Sequence, residues 1–194
     1  MAKLVVGIND LATLHPEVAA EADGWDPSTV VAGSGKKLSW ICKESHTWDA
    51  YVSNRTSTTK TGCPYCSNQK VLAGFNDLKT LFPEVAKEAN GWDPSTVIAG
   101  SNKKLSWTCS AHGHPWNASP NSRTGKQKTG CPYCSNKKCW TGFNDLKTLF
   151  PEVAKEADNW DPSKVLAGYA KKLSWKCSAH GHRWNAAPHT RTGR

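Results

Sequence analysis

Hydrophobic residues near the start of the chain follow a helical period that a proline interrupts. Leu11, Leu14 and Val18 lie at positions i, i+3 and i+7, which is the spacing of one helix face. The polar pair Asn9–Asp10 just before them supplies a candidate N-cap. Pro16 removes a backbone donor and restricts the residue before it. We therefore expect a short helical turn, followed by a second helix that begins near Pro16.

The hydrophobic period then changes to two. Leu38, Trp40 and Cys42 share one face of an extended segment, and His46–Ala50 alternates in the same way. The outward positions are polar or basic: Lys37, Ser39, Lys104, Ser106, Lys172 and Ser174. This pattern predicts a β-hairpin whose tip is the interval between the cysteine and the histidine.

Both patterns occur three times along the chain. The segment Gly-x-Asn-Asp-Leu begins at Gly7, Gly74 and Gly142, and the hairpin tryptophan recurs at Trp40, Trp107 and Trp175. We divide the chain into module 1 (residues 1–67), module 2 (68–135) and module 3 (136–194). The predicted fold class is a tandem of small α+β modules, each with a split helical segment and a β-hairpin.

Composition indicates that each module needs a cross-link. Hydrophobic residues make up 38% of the chain, yet the chain has 10 tryptophans and 8 cysteines, so the cores are small and built from large rings. The N-terminal sequence lacks the character of a secretory signal, and there is no transmembrane run. We expect a cytoplasmic, reducing location without membrane association, where Cys-x-x-Cys pairs hold metal more often than they form disulfides.

Cysteines and histidines form two sets with metal-ligand spacing. The first set is Cys42, His46, Cys63 and Cys66, and the second is Cys109, His114, Cys131 and Cys134. Three thiolates and one imidazole suit tetrahedral Zn²⁺, and four protein ligands leave no open position for a substrate. The sequence therefore predicts two structural zinc sites and no enzymatic activity. Cys-Pro-Tyr-Cys also occurs in glutaredoxin active sites, but a redox motif requires a βαβ context that is not apparent here.

The histidine of each set is chosen by its distance from a tryptophan. His46, His114 and His182 each lie two residues before a hairpin tryptophan, so we place them at equivalent positions. His112 and His180 are then expected to be exposed loop residues or phosphate contacts.

Module 3 carries only half of a metal site. Cys177 and His182 are present, but the chain ends before a Cys-Pro-Tyr-Cys knuckle, so a third zinc site is partial. Either the chain is a fragment of a longer protein, with a further domain downstream, or ligands pair across modules. We favour pairing within modules, because pairing across modules would leave Cys42 and His46 without partners.

These motifs together resemble a known family. Gly-Phe-Asn-Asp-Leu-x-Thr-Leu-x-Pro-Glu-Val-Ala, Trp-x-Cys, His-x-Trp and Gly-Cys-Pro-Tyr-Cys are similar to the zinc-ribbon, treble-clef-like repeat domain, over nearly the whole chain. The resemblance implies zinc binding. It also implies work on nucleic acid by association, since similar modules occur in bacterial and viral proteins beside endonuclease-like domains.

Charge indicates where a partner would bind. The formal net charge is +9, and residues 103–130 and 171–194 contain no Asp or Glu. The hairpin side of each module is thus predicted to be basic. The candidate nucleic-acid contacts are Lys36, Lys37, Arg55, Lys103, Lys104, Arg123, Lys126, Lys128, Lys171, Lys172, Arg183 and Arg191.

Three arginines among these candidate contacts occupy one repeated position. Arg55, Arg123 and Arg191 each lie seven residues after the second hairpin tryptophan, in a predicted polar loop beside the knuckle. A guanidinium there suits phosphate or base edges. The alternative is a solvated loop that caps the knuckle.

Most tryptophans are expected in the cores and not on a binding surface. Trp40 and Trp48 share the alternation of the metal ligands, and Trp25 is expected to pin the connector to the helices. Trp140 is not repeated and is a candidate exposed contact. Cys139 belongs to neither ligand set and is expected to be a small buried apolar residue.

Two functions of different class are consistent with these features. The first is nucleic-acid binding by the basic hairpin faces, with DNA favoured over RNA. The second is a protein-interaction scaffold, an inhibitor or a recruiter that docks on an acidic protein or ribosomal surface.

Overall fold

A computed structural model describes residues 3–193 of the protein. The chain forms two compact units, Met1–Ala86 with Asp93–Ser101, and Lys87–Trp92 with Asn102–Arg194. Module 1 lies in the first unit, module 3 lies in the second, and module 2 contributes to both. Among the described residues, no helix has the length and apolar character that crossing a membrane requires.

One order of elements is repeated in the three modules. Module 1 contains α1 (Leu11–Leu14), α2 (Pro16–Ala19), β1 (Lys37–Ile41), β2 (Thr47–Tyr51) and α3 (Val52–Thr56). Module 2 contains α4 (Leu78–Leu81), α5 (Pro83–Ala86), β3 (Leu105–Thr108), β4 (Pro115–Ala118) and α6 (Pro120–Thr124). Module 3 contains α7 (Leu146–Leu149), α8 (Pro151–Ala154), β5 (Leu173–Lys176), β6 (Arg183–Ala186) and α9 (Pro188–Thr192). Single 3-10 turns at Pro27–Thr29, Pro94–Thr96 and Pro162–Lys164 follow the helix pairs.

The proline splits the helical segment as predicted. Asp10 caps α1 by accepting the backbone N–H of Thr13, and α2 begins at Pro16. Leu11 and Val18 are buried, but Leu14, which the i, i+3 and i+7 spacing places on the same face, is 51% exposed.

The aspartates that cap the first helix of each module are buried acceptors, and Asp145 provides a test of their contribution. Asp145 accepts the N–H of Gly142 and both the N–H and the hydroxyl of Thr148. Burial by itself would raise the pKa of Asp145, but these hydrogen bonds outweigh it and lower the pKa. We expect Asp145→Ala to lower the free energy of unfolding of the second unit by about 1–2 kcal/mol in urea denaturation. Asp161→Ala removes an exposed cap and serves as the control; an equal loss in the two variants would contradict the prediction.

Each hairpin pairs its two tryptophans directly. Trp40 faces Trp48 across β1 and β2, and the other hairpins repeat this register. The Glu21 segment lies along the free edge of β1, where Ile41 donates its N–H to the Glu21 carbonyl at 2.8 Å. This edge pairing joins the helical half of a module to its hairpin, and it fixes the position of the glutamate.

The cores form around the first hairpin tryptophan. Leu11, Val18 and Val52 pack in one cluster with Trp40 and Trp48, as the alternation predicted. In module 3 the equivalent cluster is Leu146, Ala154, Ala167 and Trp175.

Trp25 attaches the connector to the hairpin and to the core beside it. Its ring packs edge-on against Trp40, with 5.1 Å between centroids, and its indole N–H donates to the Ser39 carbonyl at 2.6 Å. Trp25 also packs against the cluster that contains Leu11 and Val18 of the helices.

Candidate metal centres

The end of a hairpin and a tight knuckle supply the ligands of the first centre. Cys42 directly follows β1 and donates its N–H to the His46 carbonyl, which closes the hairpin tip. Ser45 lies within this tip with a positive φ of 61°. Cys63 and Cys66 lie on the Cys-Pro-Tyr-Cys turn, where Ser67 donates its N–H to the Cys63 carbonyl. Two local turns, separated in sequence, therefore present four ligand atoms to one point.

The distances within this group, centre 1, fit zinc. His46 Nδ1 lies 3.6, 3.8 and 3.4 Å from the Sγ atoms of Cys42, Cys63 and Cys66, and Cys42 Sγ lies 3.8 Å from Cys66 Sγ. Zinc bond lengths in a tetrahedron give edges of about 3.5 Å between sulfur and nitrogen and about 3.8 Å between sulfurs. The four side chains are arranged as the ligands of one tetrahedral ion.

Module 2 repeats the arrangement in centre 2. The ligand atoms of Cys109, His114, Cys131 and Cys134 all lie within 4.8 Å of one another. Cys109 Sγ is 3.6 Å from Cys134 Sγ, and Cys131 Sγ is 3.9 Å from His114 Nδ1. Both predicted Cys3His zinc sites are confirmed, and each set lies within one module.

Electrostatics within each centre call for a cation. Burial, together with the neighbouring Cys63 and Cys42 thiols, raises the pKa of Cys66 to about 12. Burial also opposes ionisation of Cys42, but backbone N–H groups and the other thiols outweigh it and lower the Cys42 pKa. The same contrast holds between Cys134, with a pKa of about 12, and Cys109, whose pKa is lowered. Three thiolates so close together are stable only with a divalent ion between them, and Zn²⁺ bound there would hold the two turns together.

The beginning of the next module closes each knuckle. Asn76 donates from its side-chain amide to the carbonyls of Tyr65 and Lys70, both at 2.9 Å. Phe75 packs edge-on against His46, with 4.2 Å between ring centroids. We call this contact the Phe-Asn clamp. In centre 2 the clamp consists of Phe143, 4.5 Å from His114, and Asn144, which donates to Tyr133 and Lys138.

Trp140 belongs to the surroundings of centre 2. It is half-buried and lies 5.0 Å from the His114 ring and 4.9 Å from Tyr133, so the expectation of an exposed contact is wrong. Cys139 is half-buried next to the Ser163 carbonyl, and its burial raises the pKa of the thiol.

Module 3 places a different histidine beside its cysteine. Cys177 Sγ lies 3.7 Å from Nδ1 of His180, and the ring of the predicted ligand His182 lies 6.0 Å from the His180 ring. Both histidines are exposed. Within residues 3–193, only centres 1 and 2 bring together three or more candidate ligands. Module 3 therefore supplies only one cysteine, Cys177, and a neighbouring histidine to the predicted partial site.

The repeated arginines lie in the cores, contrary to their predicted contact role. The expected polar loop is a short helix, and Arg55 on α3 is only 5% exposed. Its guanidinium lies over the rings of Trp40 and Trp48, at 4.9 and 5.2 Å, and is paired with Glu21.

Modules 2 and 3 repeat this arrangement of arginine, glutamate and two tryptophans, which we call the arginine clasp. Arg123 lies 4.3 Å from the Trp107 ring and 2.5 Å from Glu88, and Arg191 has the equivalent contacts with Trp175 and Glu156. Buried between two rings and neutralised by a carboxylate, the guanidinium groups of Arg55 and Arg123 are not available to phosphates, whereas the Arg191 side chain has the same partners and is 20% exposed. A glutamate at the same place in every module was the sequence signal of this pairing.

The predicted lysine contacts do lie at the surface. Exposed lysines are Lys36, Lys37, Lys103, Lys104, Lys126, Lys128, Lys171 and Lys172. Arg183 is also exposed, although its guanidinium pairs with Asp158 at 3.0 Å. Apart from Arg183, the exposed basic contacts are thus lysines, which revises the composition expected from the sequence.

Comparison with known proteins agrees with this geometry. The family described as a probable treble clef zinc finger domain matches the chain three times, at residues 16–69, 81–137 and 151–194. No curated protein gives a significant match. With the family covering most of the chain and two Cys3His groups formed within it, the protein belongs to the probable treble clef zinc finger domain family.

Proposed function

We propose that the protein binds nucleic acid through the lysine-rich hairpin surface, and that module 2 carries the strongest contact. The observation behind this proposal is the exposure of Lys104, Lys126 and Lys128 within a stretch, residues 103–130, that contains no carboxylate. The one arginine of that stretch, Arg123, is already neutralised inside the core. The exposed charge of this stretch is therefore carried by ammonium groups, which suits a polyanion.

Polar groups beside these lysines add candidate hydrogen-bond partners. A groove is lined by Asn102, Ser119, Asn121, Ser122 and Lys126. Amide and hydroxyl groups contact phosphates and sugars in most protein–DNA interfaces. DNA is our preferred ligand because similar modules accompany endonuclease-like domains.

The zinc centres support a binding role and not a catalytic one. Each centre has four protein ligands, so the metal would have no open position for substrate or water. We propose a non-enzymatic protein of the cytoplasm in which zinc holds the lysine surface in place.

The lysine surface can be tested by charge removal at three positions. We expect Lys104→Gln/Lys126→Gln/Lys128→Gln to weaken binding of duplex DNA, because each lost phosphate contact lowers the salt slope of log K by up to about 0.9. Fluorescence anisotropy with duplex DNA, single-stranded DNA and RNA at two salt concentrations measures both the affinity and the slope.

The matched control removes the same charge from the helical segments. Lys79→Gln/Lys147→Gln/Lys155→Gln alters three exposed lysines and should leave affinity and slope closer to those of the parent. Equal weakening by both triple variants would indicate that net charge alone governs binding. If the parent binds no nucleic acid at low salt, the proposed function is wrong.

A further inference from the structure

The hairpin tip of module 2 carries two imidazoles close to one metal centre. His112 Nδ1 lies 3.3 Å from Cys134 Sγ, which is about the edge of 3.5 Å that tetrahedral zinc gives between sulfur and nitrogen. The His112 and His114 rings are stacked, with 5.6 Å between centroids and planes 19° apart. Both contact Phe143, at 4.8 and 4.5 Å. His112 thus packs on the same phenylalanine as the assigned ligand His114. The two histidines differ mainly in that His112 is exposed and His114 is buried.

The equivalent histidine of module 3 gives independent support. His180 occupies the position of His112 in the same Cys-Ser-Ala-His-Gly-His sequence, and its Nδ1 lies 3.7 Å from Cys177 Sγ. In both tips a glycine follows with positive φ, Gly113 at 69° and Gly181 at 71°, and donates its N–H to the carbonyl of the cysteine. This turn, which suits glycine, brings the inserted histidine back toward the thiol.

Module 1 lacks this arrangement. Its tip, Cys-Lys-Glu-Ser-His, is one residue shorter and offers His46 alone. The chain therefore contains a centre with one imidazole and a centre with two, and each serves as the control for the other.

We propose that His112 is a second, interchangeable zinc ligand of centre 2. Either His114 or His112 completes the set with Cys109, Cys131 and Cys134, so that centre 2 keeps a four-ligand site when His114 is absent. Cys134 is exposed, and His112 reaches it from the solvent side, so the exchange requires movement only at the hairpin tip. Centre 1 has no such substitute for His46.

The test uses phenylalanine substitutions, which keep a ring in the aromatic cluster but remove the ligand. Zinc affinity of each centre is measured by competition with a chromophoric chelator, and zinc content by native mass spectrometry. We expect His114→Phe to retain two zinc ions per chain and His46→Phe to retain one. His112→Phe alone should also retain two zinc ions. The double variant His112→Phe/His114→Phe should bind zinc at centre 2 more than about 100-fold more weakly than His114→Phe. A loss of that size exceeds the one usually caused by changing a residue that only contacts a ligand.

A second measurement identifies the ligand directly. Long-range proton–nitrogen NMR spectra of zinc-loaded His114→Phe should show a metal-bound Nδ1 on His112. Equal zinc affinities of His114→Phe and the double variant, or a free His112 imidazole in the loaded single variant, would overturn the proposal. Indole N–H signals of Trp40 and Trp48 for His46→Phe, and of Trp107 and Trp116 for the other variants, report whether each variant is folded. A variant that loses them is replaced by the corresponding glutamine variant.

Discussion

Replacement of Cys63 by serine is expected to reduce the zinc content from two ions per chain to one and to unfold module 1. Cys63 is 8% exposed and packs in the same cluster as Trp40 and Trp48, so it is both a ligand and part of the core. Structural zinc in finger peptides contributes an apparent binding free energy of about 10–16 kcal/mol. Such a contribution exceeds what a core of this size supplies, since whole domains are stable by about 5–15 kcal/mol.

Zinc content by native mass spectrometry and hydrogen exchange across residues 37–66 measure the two effects. Cys139→Ser is the matched control, because Cys139 is outside both centres and its replacement should leave two zinc ions bound. Retention of two zinc ions and of amide protection in Cys63→Ser would show that the metal is not the main source of stability.

Replacement of Arg123 by alanine is expected to lower the free energy of unfolding of the second unit by about 3–5 kcal/mol. The change removes the guanidinium from between Trp107 and Trp116 and leaves the Glu88 carboxylate, whose side chain is 13% exposed, without its cation. Arg123→Lys should recover only part of this loss, because an ammonium group cannot lie flat between two rings.

Urea denaturation of zinc-loaded protein measures this effect, and Arg183→Ala is the control. The Arg183 pair with Asp158 involves a guanidinium that is 65% exposed, so its loss should cost about 0–1 kcal/mol. A loss of that size for Arg123→Ala would mean that the clasp adds little to the stability of the fold.

The stability that Glu88 contributes through the arginine clasp is expected to be lost in acid. Burial would raise the pKa of Glu88, but hydrogen bonds from Ser110 and Arg123 outweigh it, and the folded-state pKa lies below 4.5. The unfolded state therefore binds more protons in acid, so the contribution of Glu88 is fully present well above pH 4.5 and is lost as the pH falls through the folded pKa. Arg123→Ala should show a weaker dependence of stability on pH in this range than the parent.

The spacing of the cysteines and histidines was sufficient to predict the two metal centres, and the two-residue period of the hydrophobic positions was sufficient to predict the hairpins. Cys-x-x-Cys after Cys-x(3-4)-His determines a ligand set locally, and Pro16 marks a break in any helix. The helices α3, α6 and α9 were missed because Ser, Asn and Thr have low helix propensity, although Pro120 and Pro188 at the first helical position were a signal.

Contacts between distant charges were not predictable from one local stretch. Arg123 stands in a polar sequence 35 residues from Glu88, and only folding of the edge segment against β3 brings them together. The polar residues around Arg123 predicted a surface position, whereas the rings of Trp107 and Trp116 form a site for its guanidinium in the core. Trp140 was misplaced for a related reason, because its partners His114 and Tyr133 lie on the hairpin tip and the knuckle.

Because the Phe-Asn clamp of each knuckle comes from the start of the next module, the structural unit around a zinc centre extends beyond the end of its own sequence repeat. An array engineered by joining 67-residue segments end to end would clamp every knuckle except the last. That last knuckle would leave the carbonyl of the residue equivalent to Tyr65 without its amide donor. Such an array would need a terminal Gly-Phe-Asn-Asp tail in the manner of the capping repeats of solenoid proteins, and an excised module 1 would have to continue at least to Asn76.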